Sequence, residues 1–195
     1  RNNLKQMGLA LHNYQDAHKI FPPASVALGI HVPPKISPQF HNLNGLMFLL
    51  PYMDEQNLYN QFNFGAAASV VTVNGAYLAC PGADCPGTQA NIDANAVVVG
   101  LPVKVFHCPS DSGDPHNSPN AFYSPTPALP GYRTNYDFST DYLEYYYSNQ
   151  WVNLGRNDRP LFGNNSNVRI QDVKDGISNV VAFAETLYDR SSGWT

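Results

Sequence analysis

Leu4, Met7, Leu11, Tyr14 and His18 recur at i, i+3, i+7, i+10 and i+14. A 3.6-residue period collects them on one face of a helix, while Lys5, Asn13 and Asp16 fall elsewhere. Such a stripe constrains the fold at once, because Leu4, Met7, Leu11 and Tyr14 must pack against something the rest of the chain supplies. The helix lacks an ordinary start: Arg1 opens it and only Asn2 or Asn3 offers a cap. It reads as the second half of a longer helix that continues upstream. Phe21-Pro22-Pro23 is expected to end it, since proline lacks the N–H a helix needs and Pro22 biases Phe21 away from helical angles.

Beyond this helix the chain changes character. Sixteen prolines and fourteen glycines in 195 residues imply frequent turns and long connections, with short strands between them. The expected course is an irregular stretch from Ala24 to Leu43 with a short strand at 26–32, then a helical turn at Leu46 to Tyr52. A second short helix follows at Asp54 to Gln61, with Asp54 as its N-cap. The apolar runs Ala66 to Val73 and Ala94 to Val99 fit either helix or strand. Alternation predicts a strand at Val103 to His107, stopped by Cys108-Pro109. Further strands are expected in Tyr132 to Ser139 and at Val168 to Ile170, and Asn179 to Leu187 would close the sheet. No βαβ rhythm and no internal repeat is present. The expected fold class is α+β: one helix packed on an antiparallel sheet, with long loops and an insertion near 111–130. A single unit over 1–195 divides into the helix (1–21), a loop and short-helix region (22–100) and a β-rich region (101–195).

Charge narrows the partners. Net charge is −4 and only 13% of residues are charged, so no basic face exists to neutralise phosphates, and nucleic acid is not an expected partner. No run of about 20 apolar residues spans a bilayer within this sequence.

Candidate sites are sparse. Cys80 and Cys85 bracket Pro81-Gly82-Ala83-Asp84, a loop short enough for a disulfide to close in an oxidising compartment; two unpaired thiols or a weak metal site are the alternatives, zinc being disfavoured without a second Cys or His pair. Asp111 and Asp114, with His116, have spacing suited to calcium, as do Asp172 and Asp175 beside Gly176. Turn chemistry explains both groups more simply. No catalytic motif is present: there is no Gly-x-Ser-x-Gly elbow, P-loop or His-Glu-x-x-His. No catalytic residue is assigned and an enzyme is the least expected reading. Tyr142, Tyr145, Tyr146, Tyr147 and Trp151 fit an interface or ordinary sheet packing better than stacking on a glycan, the third alternative. Asn164-Asn165-Ser166 is a formal glycosylation sequon.

Four stretches together carry a resemblance. These are Asn2 to Pro23 (NNLKQMGLALHNYQDAHKIFPP), Leu50 to Phe64 (LPYMDEQNLYNQFNF), Leu101 to Asp111 (LPVKVFHCPSD) and Leu161 to Glu185 (LFGNNSNVRIQDVKDGISNVVAFAE). Their order and spacing resemble a bacterial family of type IV pilin-like and pseudopilin-like proteins, common in planctomycetes. It is catalogued as domain of unknown function 1559 and also as solute-binding family 10. The resemblance implies a hydrophobic helix, whose first half this sequence lacks, running into a β-rich head. It also implies a C-terminal His-x9-Asp-Gly segment, likewise lacking here, and an upstream cysteine as a partner for Cys108. The implied role is a structural subunit of an extracellular or cell-envelope filament whose partners are other copies of itself. Membrane contact would come only through the missing helix half. The alternatives are a secreted glycan- or solute-binding module and a minor pseudopilin of a secretion system. No cofactor is implied beyond the calcium candidates.

Overall fold

The computed structural model describes residues 2–26, 41–68, 71–73, 76–78, 86–116, 129–140, 151–155, 159–174 and 176–188. The helix α1 runs Asn2–His18 and sinks Met7, Ala10, Leu11, Tyr14 and Gln15, while Leu4 is half-buried at the edge of the same core. His18 ends the stripe exposed, stacked on Tyr14 with ring centroids 4.2 Å apart. The helix stops three residues before Phe21. Lys19 takes a left-handed conformation (φ 63) and its N–H bonds back to the Gln15 carbonyl at 2.8 Å, so a C-terminal cap ends the helix before the prolines act.

What covers α1 is chiefly a 3-10 helix, Gly45–Tyr52, rather than the antiparallel sheet that the sequence suggests. Asn44 caps it, its side-chain oxygen accepting from the Leu46 N–H at 2.8 Å, and Leu46, Leu49 and Leu50 are buried. Tyr14 meets Phe48 and Tyr52 at 6.2 and 6.0 Å between ring centroids. Gly45 is required by contact: a Cβ there would lie far inside any non-bonded contact distance from the Pro23 carbonyl oxygen, and the Gly45 N–H donates to Ala24 O at 2.7 Å. Helix α2 (Gln56–Gln61) starts two residues after the expected Asp54 cap. Asp54 instead has φ 62, and Glu55 at the cap position makes no side-chain cap bond.

The ambiguous Ala94 to Val99 run belongs to a helix, α3 (Gln89–Val99), opened by Thr88, whose hydroxyl accepts from the Asn91 N–H at 3.3 Å. The expected strand at Val103 to His107 is replaced by a 3-10 turn, Lys104–Phe106. Val103 and Phe106, three apart, are both buried, a spacing that a tight helical turn satisfies and an alternating strand does not. Val168 to Ile170 is likewise not a strand; Ile170–Asp172 forms a 3-10 turn.

Strands among the described residues form three two-stranded antiparallel ladders. β1 (Ser25–Val26) pairs with β2 (Leu43–Asn44), β3 (Val71–Val73) with β4 (Ala76–Leu78), and β5 (Tyr136–Phe138) with β6 (Phe183–Glu185). The last ladder is the closure expected of Asn179 to Leu187. The segment after α1 is tied to the far end of the chain: Phe21 N–H donates to Val168 O (2.8 Å), Ala24 N–H to Gly163 O (3.1 Å) and Asn165 N–H to Ser25 O (2.9 Å). Phe21, Phe138 and Phe183 surround Phe162 there, and one continuous core joins this cluster to α1. The architecture is mixed α+β.

Candidate functional site

The densest polar network lies at the Cys108-Pro109-Ser110-Asp111 turn, and its centre is Asn135, which is completely buried one residue before β5. The Asn135 Oδ1 accepts from the Cys108 N–H at 2.7 Å. Its Nδ2 donates to Asp111 Oδ2 at 2.5 Å and to the Thr186 carbonyl at 2.8 Å. Asp111 Oδ2 also accepts from the Tyr188 N–H at 2.7 Å, and Oδ1 from the Gly113 N–H at 2.9 Å. One carboxylate and one amide thus fasten the turn to β5 and to the chain leaving β6. Helix α1 joins through Asn3, whose Nδ2 donates to the His107 carbonyl at 2.5 Å.

The titratable groups here are held by the protein itself. Tyr136 is buried and its hydroxyl donates to Glu185 at 3.2 Å. Burial first, then the neighbouring Cys108 and Glu185, pushes this phenol far above its ordinary value. Cys108 is a half-buried free thiol, 3.0 Å from the Ser110 hydroxyl. His107 is half-buried, its Nδ1 bonded to the Tyr188 hydroxyl, and burial lowers its pKa.

The calcium candidates resolve into turn and cap chemistry. Asp111 serves the network above. The Asp114 side chain accepts from the His116 N–H (2.9 Å) and contacts its ring (3.0 Å), and these bonds hold its carboxyl below the usual value. The Asp172 Oδ2 accepts from the Arg169 N–H at 3.1 Å. Asp175 lies outside the described residues. Among the described residues no three His, Cys, Asp or Glu side chains gather as a metal-ligand set.

Of the aromatic candidates, Trp151 is half-buried. Its indole N–H donates to the Pro160 carbonyl at 2.8 Å and the Arg159 guanidinium lies 4.6 Å from the ring centroid, so the protein already engages its polar edge and one ring face. Tyr142, Tyr145, Tyr146 and Tyr147 lie outside the described residues, as does the Cys80 and Cys85 pair. Asn164 of the sequon is completely buried and faces the Ser25 hydroxyl at 3.4 Å, a position closed to a glycan in the folded chain. Among the described residues no helix is long and apolar enough to cross a membrane.

The sequence did not single out Asn135, Arg133 or Tyr188 for this network, nor Asn95, a second completely buried amide. Asn95 accepts from the Asn63 N–H at 2.8 Å and donates to the Asn63 and Ala67 carbonyls at 3.0 and 3.1 Å. For the two asparagines the one available signal was position, each standing beside apolar or β-prone residues: Ala94 and Ala96 for Asn95, Thr134 and Tyr136 for Asn135.

The family model described as "Protein of unknown function (DUF1559)", SBP_bac_10, matches residues 1–195. The chain belongs to this family. Neither curated proteins nor solved structures give a match. In this DUF1559 chain, then, the Asn2-to-Pro23 stretch meets two of the other family-like stretches directly, Tyr52 of Leu50 to Phe64 through Tyr14 and His107 of Leu101 to Asp111 through Asn3. A third, Leu161 to Glu185, supplies β6 and the carbonyls that hold residues 21–24.

Proposed function

We propose that this chain is the globular head of a type IV pilin-like or pseudopilin-like subunit, a structural component of an extracellular or cell-envelope filament. The observation that carries the reading is α1. Seventeen residues long, it lays one face (Met7, Ala10, Leu11, Tyr14) into the core and leaves a polar outer face interrupted by Leu9, which is 62% exposed. A helix seated in this way is firmly part of the head, yet it keeps a side for neighbouring subunits. Copies would then stack through head-to-tail contacts that do not close into a ring. The polar network supports the same reading, because its side chains fasten chain to chain and hold Asn3 of α1 to the head.

Electron microscopy of the native material, with mass spectrometry of its termini, tests the proposal. Ordered filaments containing this chain are expected. Native material that is monomeric at every concentration, with termini unprocessed, would overturn it.

A further inference from the structure

His107 sits where the turn before Cys108, the Tyr132 stretch and the chain leaving β6 come together. Its ring is edge-on to Tyr132 with centroids 4.6 Å apart, and tilted against Tyr188 at 5.7 Å. Nδ1 bonds the Tyr188 hydroxyl, whereas Nε2 is buried with no hydrogen-bond partner among the described residues. Tyr188 is buried and held at three points: its hydroxyl by His107, its N–H by Asp111 Oδ2 at 2.7 Å, and its carbonyl by Arg133 Nη1 at 2.9 Å. Two of those holds are backbone bonds, so His107 is the one that grips the side chain.

We propose that His107 is an acid-sensitive latch, which when neutral holds Tyr188 and the chain after β6 on the Cys108-to-Asp111 turn, and on protonation releases them. In the neutral ring with its hydrogen on Nδ1, Nε2 buries only a lone pair. Protonation adds an N–H and a positive charge at that buried atom, where no acceptor among the described residues receives either.

Among the described residues, the surrounding groups do not offset the charge. Tyr132 and Tyr188 meet the ring with phenol side chains, and α1 contributes the uncharged Asn3. Asp111 and Arg133, of opposite sign, both engage the Tyr188 backbone. His116 also meets Tyr132, 4.9 Å from that ring, with its Nδ1 3.0 Å from Asp114, and Lys104 on the neighbouring 3-10 turn is a cation. Burial accordingly holds His107 below the ordinary imidazole value. The open segment therefore binds the proton more tightly than the closed one, so the latch is intact above about pH 6.5 and weakens as pH falls below it.

Hydrogen exchange of the Thr186 and Tyr188 amides, corrected for intrinsic pH dependence, tests this in the full chain. Those amides donate to Asn135 O and Asp111 Oδ2 and so report the same segment. Their opening equilibrium is expected to rise by up to about 30-fold from pH 7.5 to 5, the limit set by an open-state imidazole at its ordinary value. His107→Phe keeps a ring against Tyr132 and removes both nitrogens; its protection is expected to be flat over that range. Wild-type protection that does not change with pH overturns the proposal, as does an acid response retained by His107→Phe. Should that variant not fold, the NMR titration of the His107 ring in the unaltered chain decides. A midpoint below 6.5 that coincides with loss of Tyr188 protection is expected, and a midpoint at or above 6.5 overturns the latch.

Discussion

Truncating Asn135 to alanine removes a side chain that joins three separated stretches of chain. Its amide makes three bonds, to the Cys108 N–H, to the Asp111 carboxylate and to the Thr186 carbonyl, from a completely buried position. A neutral bond contributes about 1 kcal/mol net and one to a charged group about 1.5–3 kcal/mol, while a buried group left unsatisfied costs roughly 1–3 kcal/mol. Asp111 Oδ2 keeps the Tyr188 N–H, so the main orphans are the Cys108 N–H and the Thr186 carbonyl. Asn135→Ala is therefore expected to cost about 3–5 kcal/mol, which moves a urea midpoint down by roughly 2 M for a slope near 2 kcal/mol/M. Asn135→Asp gives a sharper result. Its carboxylate still accepts from Cys108 but faces Asp111 where an N–H stood, so the variant is unstable at neutral pH. It should recover in part as pH falls and one of the two carboxyls takes a proton. Urea unfolding of both variants between pH 4 and 7.5 is the assay. A loss under about 1 kcal/mol for Asn135→Ala, or an Asn135→Asp variant with no acid recovery relative to wild type, would refute the network as described.

Three other outcomes follow from local geometry. Lys19→Gly is expected to stabilise by about 0.5–1 kcal/mol, because a left-handed lysine carries a steric cost of about 1–2 kcal/mol that glycine avoids, less glycine's greater entropy loss; thermal unfolding reads it. Gly45→Ala should destabilise by about 1–3 kcal/mol or more, since the added methyl meets the Pro23 and Ala24 backbone rather than a movable side chain, and a lowered denaturant midpoint at unchanged slope is the expected signature. Asn164, buried against Ser25, is expected to stay unmodified on the folded chain when it is exposed to glycosylating enzymes, which intact-mass spectrometry would show.

Local pattern made α1 legible, because Met7, Leu11 and Tyr14 at helical spacing can be buried together in only one way. Its end was misplaced by three residues because Lys19 has no sequence mark of a left-handed cap, a place glycine usually fills. Leu46 to Tyr52 read correctly as helical, yet its role as the main cover of α1 depends on Gly45 meeting Pro23 and Ala24, a contact no short window contains. Val103 to His107 misled because its apolar residues fit a strand period while the core takes Val103 and Phe106. The polar network was invisible for a related reason. An Asn reads as a turn former wherever it stands, and only the approach of Cys108, Asp111 and Thr186 from elsewhere in the chain makes Asn135 a core residue. Asp111 is legible as turn chemistry, with calcium the lesser reading, but its bonds to Asn135 and to the Tyr188 N–H depend on residues far along the chain.

The bonds from Phe21, Ala24 and Ser25 to residues 163–168 have a bearing on how the molecule is made. The helix leaves the ribosome before these partners, and the segment that follows it cannot take its final place until residues 163–168 have been synthesised. At about 5–20 residues per second, that interval is roughly 7–30 s, during which those apolar side chains lack their distal partners. Long-range closure of this kind slows folding and lengthens the time in which one nascent chain can adhere to another. Phe21 in particular stays without Phe162 and the Val168 carbonyl for that whole interval, so early shielding of this one ring bears on how much of the chain reaches its folded state.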